Sequence, residues 1–365
     1  MLSRTLAAVA EGIAAGLHMG AQVYVSHRGR VIADWACGEA QVGVAMQPDT
    51  LMLWLSSCKP VTAAAICQLW ERGELSLNDP VARHIPEFAA HDKEAVTIFH
   101  LLTHTAGLRP RKSPWTDWSW DQIIAELCAM EMEPDWIPGR KAGYHAMTSW
   151  YLLGEIIRRR TGRACEDFVR EEIFVPAGME DSWMALTPER YARYGERMGV
   201  LHKSPGKAGG PLEALDWDNA EGAAICRPTG SVHGPIRELG RFYEMLLHGG
   251  LAGGEPILMP ETVEAMVRRQ RKGLFDLTFK QPIDWGLGFL INSSMYGSAI
   301  PYQYGPHASP RTFGHGGWQS SVGCCDPEHG LVVAALWNGC CGETAHDRRL
   351  RTFMSSLYEE LNLGG

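Results

Sequence analysis

Apolar and polar residues alternate with a period of two, as in half-buried strands, only toward the two ends of this chain. Near the start, AQVYVSH and RVIADW flank a short turn at Arg28-Gly29-Arg30, which reads as a hairpin over 21–35. In the last third, strands are expected over 286–291, 312–314, 320–326 and 331–337. The final two are joined by the turn Pro327-Glu328-His329-Gly330. Between the ends the spacing is helical, over about 57–72, 96–102, 120–132, 148–160, 164–174 and 236–247. Further helices are expected over 1–17 and 344–361. This order fits an α+β fold: a mainly antiparallel sheet flanked by helices, completed by both chain ends, with a helical lobe inserted between them. The expected lobes are 1–75 with 212–365, and 76–211.

A chain of 365 residues, 45% hydrophobic, can bury a large core. Its formal net charge of −8 argues against a nucleic-acid partner, which would require a basic face, and is read as a solubility feature. Residues 1–17 are apolar on one side, but Glu11 interrupts the run, so they read as an amphipathic helix and not as an export signal. No stretch approaches the length of a membrane span, and the expected location is cytoplasmic. The ten cysteines include no Cys-x-x-Cys, and the neighbours Cys324-Cys325 and Cys340-Cys341 would point to opposite faces of a strand. They are read as mostly buried free thiols. Neither a metal nor any other cofactor is expected, since no metalloprotease, Walker or dinucleotide fingerprint is present.

The sequence Ser-x-x-Lys occurs twice, at Ser56–Lys59 and at Ser204–Lys207. A serine hydroxyl needs a base within hydrogen-bond reach, and a lysine can be that base only if its proton is loosened. At a helix start the three-residue spacing puts both side chains on one face, where the helix dipole favours alkoxide and disfavours ammonium. The second pair lies among Pro205, Gly206 and Gly209, where nothing fixes the two side chains. The first lies between an apolar run and an amphipathic helix, with Pro60 in the first turn. Proline disfavours helical geometry in the residue before it, so an irregular turn is expected at Lys59. Taken alone, Ser56 reads more readily as a helix cap than as a nucleophile.

The stretch LSSCKPVTAAAICQLWERGELSLNDPVARHIPEF resembles the nucleophile helix of class C β-lactamases and their relatives: family VIII carboxylesterases, D-aminopeptidases, DD-peptidases and transesterases. The likeness continues, in the same order, through IFHLLTHTAGL, PGRKAGYHAMTSWYLLGEIIRRRTG and FGHGGWQSSVGCCDPEHGLVVAALWNG. It implies a β-lactamase/transpeptidase-like fold acting as one catalytic unit. It further implies that Ser56 is the acylated nucleophile, Lys59 its partner and Tyr144 the phenol that shuttles the proton. Which of Lys59 and Tyr144 is the base stays open. His315, Gly316 and Gly317 match the active-site strand, and the backbone N–H groups of Ser56 and Trp318 match the oxyanion hole. For His315 a structural and a proton-transfer role are equally open, whereas His104 reads as structural.

Two departures bear on substrate. Ala146 stands where the tyrosine motif usually ends in Asn or Ser, and His315 stands where cell-wall enzymes carry lysine. Both resemble the esterase branch, so the expected substrate is a small-molecule ester or acyl donor, with water, an alcohol or an amine as acceptor. Amide or β-lactam hydrolysis and a catalytically silent binding protein are the alternatives. Trp115, Trp118, Trp120 and Trp318 are candidates to line the substrate pocket, against ordinary core packing for each.

Overall fold

The computed structural model describes residues 2–109, 118–204, 212–297 and 304–363. Helix α1 (Ser3–Ala14) leads into strands β1 (Gly20–His27), β2 (Arg30–Gln41) and β3 (Val44–Ala45). The β1–β2 turn holds Arg28 at φ 51° and Gly29 at φ 75°, the left-handed pair that a two-residue hairpin turn with the strands' own twist requires. Helices α2 (Lys59–Glu71), α3 (Trp120–Ala129), α4 (Thr148–Thr161) and α5 (Ile236–Leu247) follow, among shorter turns. Strands β4 (Leu290–Ile291), β5 (Phe313–Gly317), β6 (Ser321–Asp326) and β7 (Leu331–Trp337) then lead to α6 (Glu343–Glu360).

These strands form one seven-stranded sheet in the order β4-β5-β6-β7-β1-β2-β3. Every pairing in it is antiparallel, and β7 from the chain's end lies directly against β1 from its start, with Val25 opposite Val333. The central strand β7 explains its own composition. Leu331, Val333, Ala335 and Trp337 face a core shared with α1 and α6, while Val332, Ala334 and Leu336 face a second core shared with α2, α4 and α5. A strand covered on both faces reads as a continuous apolar run. Cys324 and Cys325 divide between the same two cores, and all ten cysteines are free thiols, eight of them buried.

Several boundaries differ from the expectation. The strand expected over 286–291 shrinks to Leu290–Ile291, because the Gly286 N–H turns back to the Phe289 carbonyl at 2.9 Å and Gly288 takes φ 81°. The helix expected over 96–102 begins at Ile98, where Thr97 and His100 cap each other's backbone. The one expected over 120–132 stops at Ala129, with Met130 extended. Lys59, despite preceding Pro60, has helical φ −53° and ψ −42°. The irregularity lies upstream: Leu55–Cys58 is a tight 3-10 turn entered through Leu55 at φ 52°. No helix among the described residues is long and apolar enough to cross a membrane.

Candidate active site

The 3-10 turn Leu55–Cys58 is pinned to the sheet by hydroxyls. Ser321 Oγ on β6 donates to the Trp54 carbonyl at 2.6 Å and lies 2.9 Å from Ser57 Oγ, which also donates to the His315 carbonyl at 3.2 Å. Strand β5 therefore runs against the turn, and a Cβ at Gly317 would collide with Ser321 Oγ and the Trp54 carbonyl. Only glycine permits that approach.

This scaffold delivers three polar atoms to one point. Lys59 Nζ lies 2.7 Å from Ser56 Oγ, and Tyr144 Oη lies 3.2 Å from it. Lys59 is completely buried. Its amine also meets the Thr229 carbonyl at 2.6 Å and Thr229 Oγ1 at 2.9 Å, and Thr229 Oγ1 in turn donates to the Ala146 carbonyl. Burial pulls the lysine down to about 7, opposed only by the Cys58 thiol. A neutral Lys59 can place two N–H groups on Thr229 and turn its lone pair to the Ser56 hydroxyl, which makes it a proton acceptor. Burial pushes the Tyr144 phenol the other way, well above its ordinary value, so at neutral pH it is a donor to Ser56 Oγ.

Tyr144 is held from behind. Its backbone N–H donates to Asp276 Oδ1 at 3.1 Å, and Asp276 Oδ2 pairs with the buried guanidinium of Arg271 at 3.0 Å. Its ring stacks on Trp285 with centroids 5.8 Å apart and lies 4.8 Å from His104. His104 is buried with φ 55°, and its Nδ1 accepts the His145 N–H at 3.0 Å, a packing role for the ring. His315 is buried too. Burial, then the nearby Lys59, lowers it to about 3, so it is neutral and supplies no cation to the site.

Ser56 opens on a cleft of about 320 Å³ whose walls include Ala146, Met147, Trp217, Arg227, Thr229 and Trp318. Of the three tryptophans singled out from the sequence that are described, Trp318 alone is placed here, 44% exposed. Trp118 and Trp120 line a different cleft with Tyr151 and Cys165, and Trp120 is anchored by its indole N–H to Glu155 at 2.7 Å. Trp115 lies outside the described residues. The second wall aromatic is Trp217, which nothing in its sequence neighbourhood distinguishes. Thr229, Asp276 and Arg271 were equally invisible, since each acts through a contact between distant segments. Ser204 of the other Ser-x-x-Lys donates to the Gly16 carbonyl at 2.5 Å, and Lys207 lies outside the described residues. No group of three or more candidate metal ligands occurs among the described residues.

Comparison with known proteins shows the family to which the chain belongs. The profile of the family described as Beta-lactamase matches residues 7–352. Penicillin-binding protein 4 of Amycolatopsis lactamdurans is 30% identical over 325 residues, covering 87% of this chain and 78% of that protein. Esterase EstB of Burkholderia gladioli is 28% identical over 308 residues, covering 74% of each chain. The crystal structure of a penicillin-binding protein homologue from Caulobacter crescentus superposes with a TM-score of 0.80 at 29% identity, covering 97% of both chains. With its profile matched over nearly the whole length and its fold shared, this chain belongs to the Beta-lactamase family and is a hydrolase of the serine type that the family's esterases and penicillin-binding proteins represent.

Proposed function

We propose that the protein is a carboxylic-ester hydrolase working through an acyl group on Ser56. The observation that carries this reading is the convergence of a buried, neutral-leaning amine and a protonated phenol on one serine oxygen, at 2.7 and 3.2 Å. Lys59 is the base: it accepts the Ser56 proton as Oγ attacks the ester carbonyl. The oxyanion is received by the backbone N–H groups of Ser56 and Trp318, on the turn and at the end of β5. Collapse breaks the carbonyl–oxygen bond, the departing alkoxide takes a proton from Tyr144, and the proton that Lys59 took from Ser56 restores the phenol. Water then attacks the acyl-serine, giving its proton back along the same groups, and the carboxylic acid leaves. An alcohol or amine in the water's place makes the same chemistry an acyl transfer.

Esters are favoured over amides and β-lactams by what the site lacks. Ala146 presents no side-chain amide or hydroxyl to hold an amide, and on strand β5 itself the neutral His315 offers a β-lactam carboxylate no cation. The test uses a short-chain aryl ester, a chromogenic cephalosporin and a fluorophosphonate probe. Expected are ester turnover far above cephalosporin turnover, and a single label that maps to Ser56. Labelling elsewhere, or cephalosporin turnover rivalling the best ester, overturns the proposal. Adding a primary alcohol and identifying the product separates hydrolysis from transfer.

A further inference from the structure

The cleft beside Ser56 is lined by apolar side chains, tryptophans, hydroxyls, one guanidinium, Arg227, and the His233 ring, whose two nitrogens face the Ser231 carbonyl at 3.0 Å and Asp218 at 3.3 Å. No carboxylate shares that lining, and among the described residues none lies within ion-pair distance of its guanidinium. The nearby acid Asp218 is already engaged: it accepts from the Leu201 N–H at 2.6 Å and meets His233 Nε2 at 3.3 Å. A guanidinium has five donors in a fixed fork, and leaving it half-buried without an anion forfeits the pairing it is shaped for.

Arg227 is also held in place. Its backbone N–H donates to Ser231 Oγ at 2.8 Å, and its carbonyl accepts from the N–H groups of Gly230 and Ser231 at 2.9 and 3.0 Å. Its Nη1 donates to the Gly222 carbonyl at 2.9 Å, which fixes the guanidinium on the cleft wall while leaving further donors. The same tight turn carries Thr229, the anchor of Lys59, so the cation is rigidly related to the reacting centre. The exposed faces of Trp217 and Trp318, 39% and 44% accessible, supply apolar surface for the carbon skeleton between the two.

We infer that the substrate is an ester bearing a carboxylate, and that Arg227 is the residue that recognises it. This rests on the esterase reading above and names its substrate class. The anion can sit on the acyl chain or on the alcohol, and two arms distinguish them. The first compares 4-nitrophenyl hemiglutarate with 4-nitrophenyl valerate, of equal chain length. The second compares 4-acetoxybenzoate with 4-acetoxybenzamide. In one arm kcat/KM is expected to favour the charged member by roughly 10- to 100-fold, the range for a charge-assisted hydrogen-bonded pair. That ratio should collapse toward one in Arg227→Gln and be partly kept in Arg227→Lys. A purely structural role for Arg227 lowers both members of a pair alike and leaves the ratio unchanged, which overturns the inference. So does a wild-type ratio of one or less in both arms. Failure of the esterase reading looks different: no fluorophosphonate label on Ser56 and no turnover of valerate or acetoxybenzamide.

Discussion

Two lysines of this protein, Lys59 and Lys93, have no solvent-accessible surface, and neither is held by a carboxylate ion pair among the described residues. Both solve the problem of a buried amine with carbonyl oxygens and an aromatic ring. Lys93 Nζ donates to the Cys128 and Met130 carbonyls at 2.9 and 2.6 Å and lies 5.1 Å from the Phe88 ring centre. Lys59 Nζ donates to the Thr229 carbonyl and lies 5.6 Å and 5.7 Å from the ring centres of Tyr144 and Trp150. Burial lowers both, but around Lys93 the Cys128 thiol and the carboxylates of Glu94 and Glu131 pull its proton back. The larger difference is the remaining neighbour. Lys93 closes the C-terminal end of α3, whereas Lys59 touches a serine hydroxyl at the mouth of a cleft. Burial makes an amine titratable, and only a reactive neighbour makes that useful.

Replacing each lysine in turn breaks the comparison most sharply. Lys59→Met is expected to lower kcat/KM for an aryl ester by about 10³-fold, in the range for loss of a general base. Lys93→Met should leave turnover within a few-fold while lowering the melting temperature, because two carbonyls at the end of α3 lose their donor. Similar activity losses in both variants, measured on folded protein, would mean that Lys59 holds the fold and does not take the proton.

The pH profile sharpens the same contrast. Lys59 accepts a proton only when neutral, and its value lies near 7. The rate constant kcat/KM should therefore rise about tenfold per pH unit below that point and level above it. Linkage has the matching sign. Between about 7 and the ordinary lysine value of 10.5 the unfolded chain binds the extra proton, so this group's contribution to stability grows as pH rises through that window. Comparing melting temperatures of wild type and Lys59→Met at pH 7 and pH 10 isolates the effect.

Smaller effects are expected one contact further out. Asp276→Asn leaves Arg271 buried without its anion and loosens the backbone of Tyr144. A fall of about 3 kcal/mol in stability is expected from a broken buried pair, with roughly a tenfold loss in kcat at a temperature where the variant is folded. Thr229→Val removes one of the three oxygens around Lys59 Nζ and should cost about 10-fold in kcat/KM, the upper end for one hydrogen bond between neutral groups. An unchanged rate in that variant would show that the Thr229 carbonyl alone positions the amine.

By itself the sequence determined what is local. The β1–β2 hairpin, helix α5 over Ile236–Leu247 and strand β7 over Leu331–Trp337 follow from period and turn residues, because each is set by which face of a short segment meets the core. Spacing made Ser56 and Lys59 legible as one of two Ser-x-x-Lys pairs, and likeness to known proteins gave them their roles. Tyr144 and the strand ending at Gly317 were named only through likeness to known proteins. Tertiary structure alone decided that Trp318 and Trp217 share the Ser56 cleft while Trp118 and Trp120 do not. It alone supplied Thr229, Asp276 and Arg227, whose partners lie far away along the chain or across a turn that no periodicity marks. Periodicity reports which side of an element is buried, and is silent about which distant oxygen or nitrogen waits there.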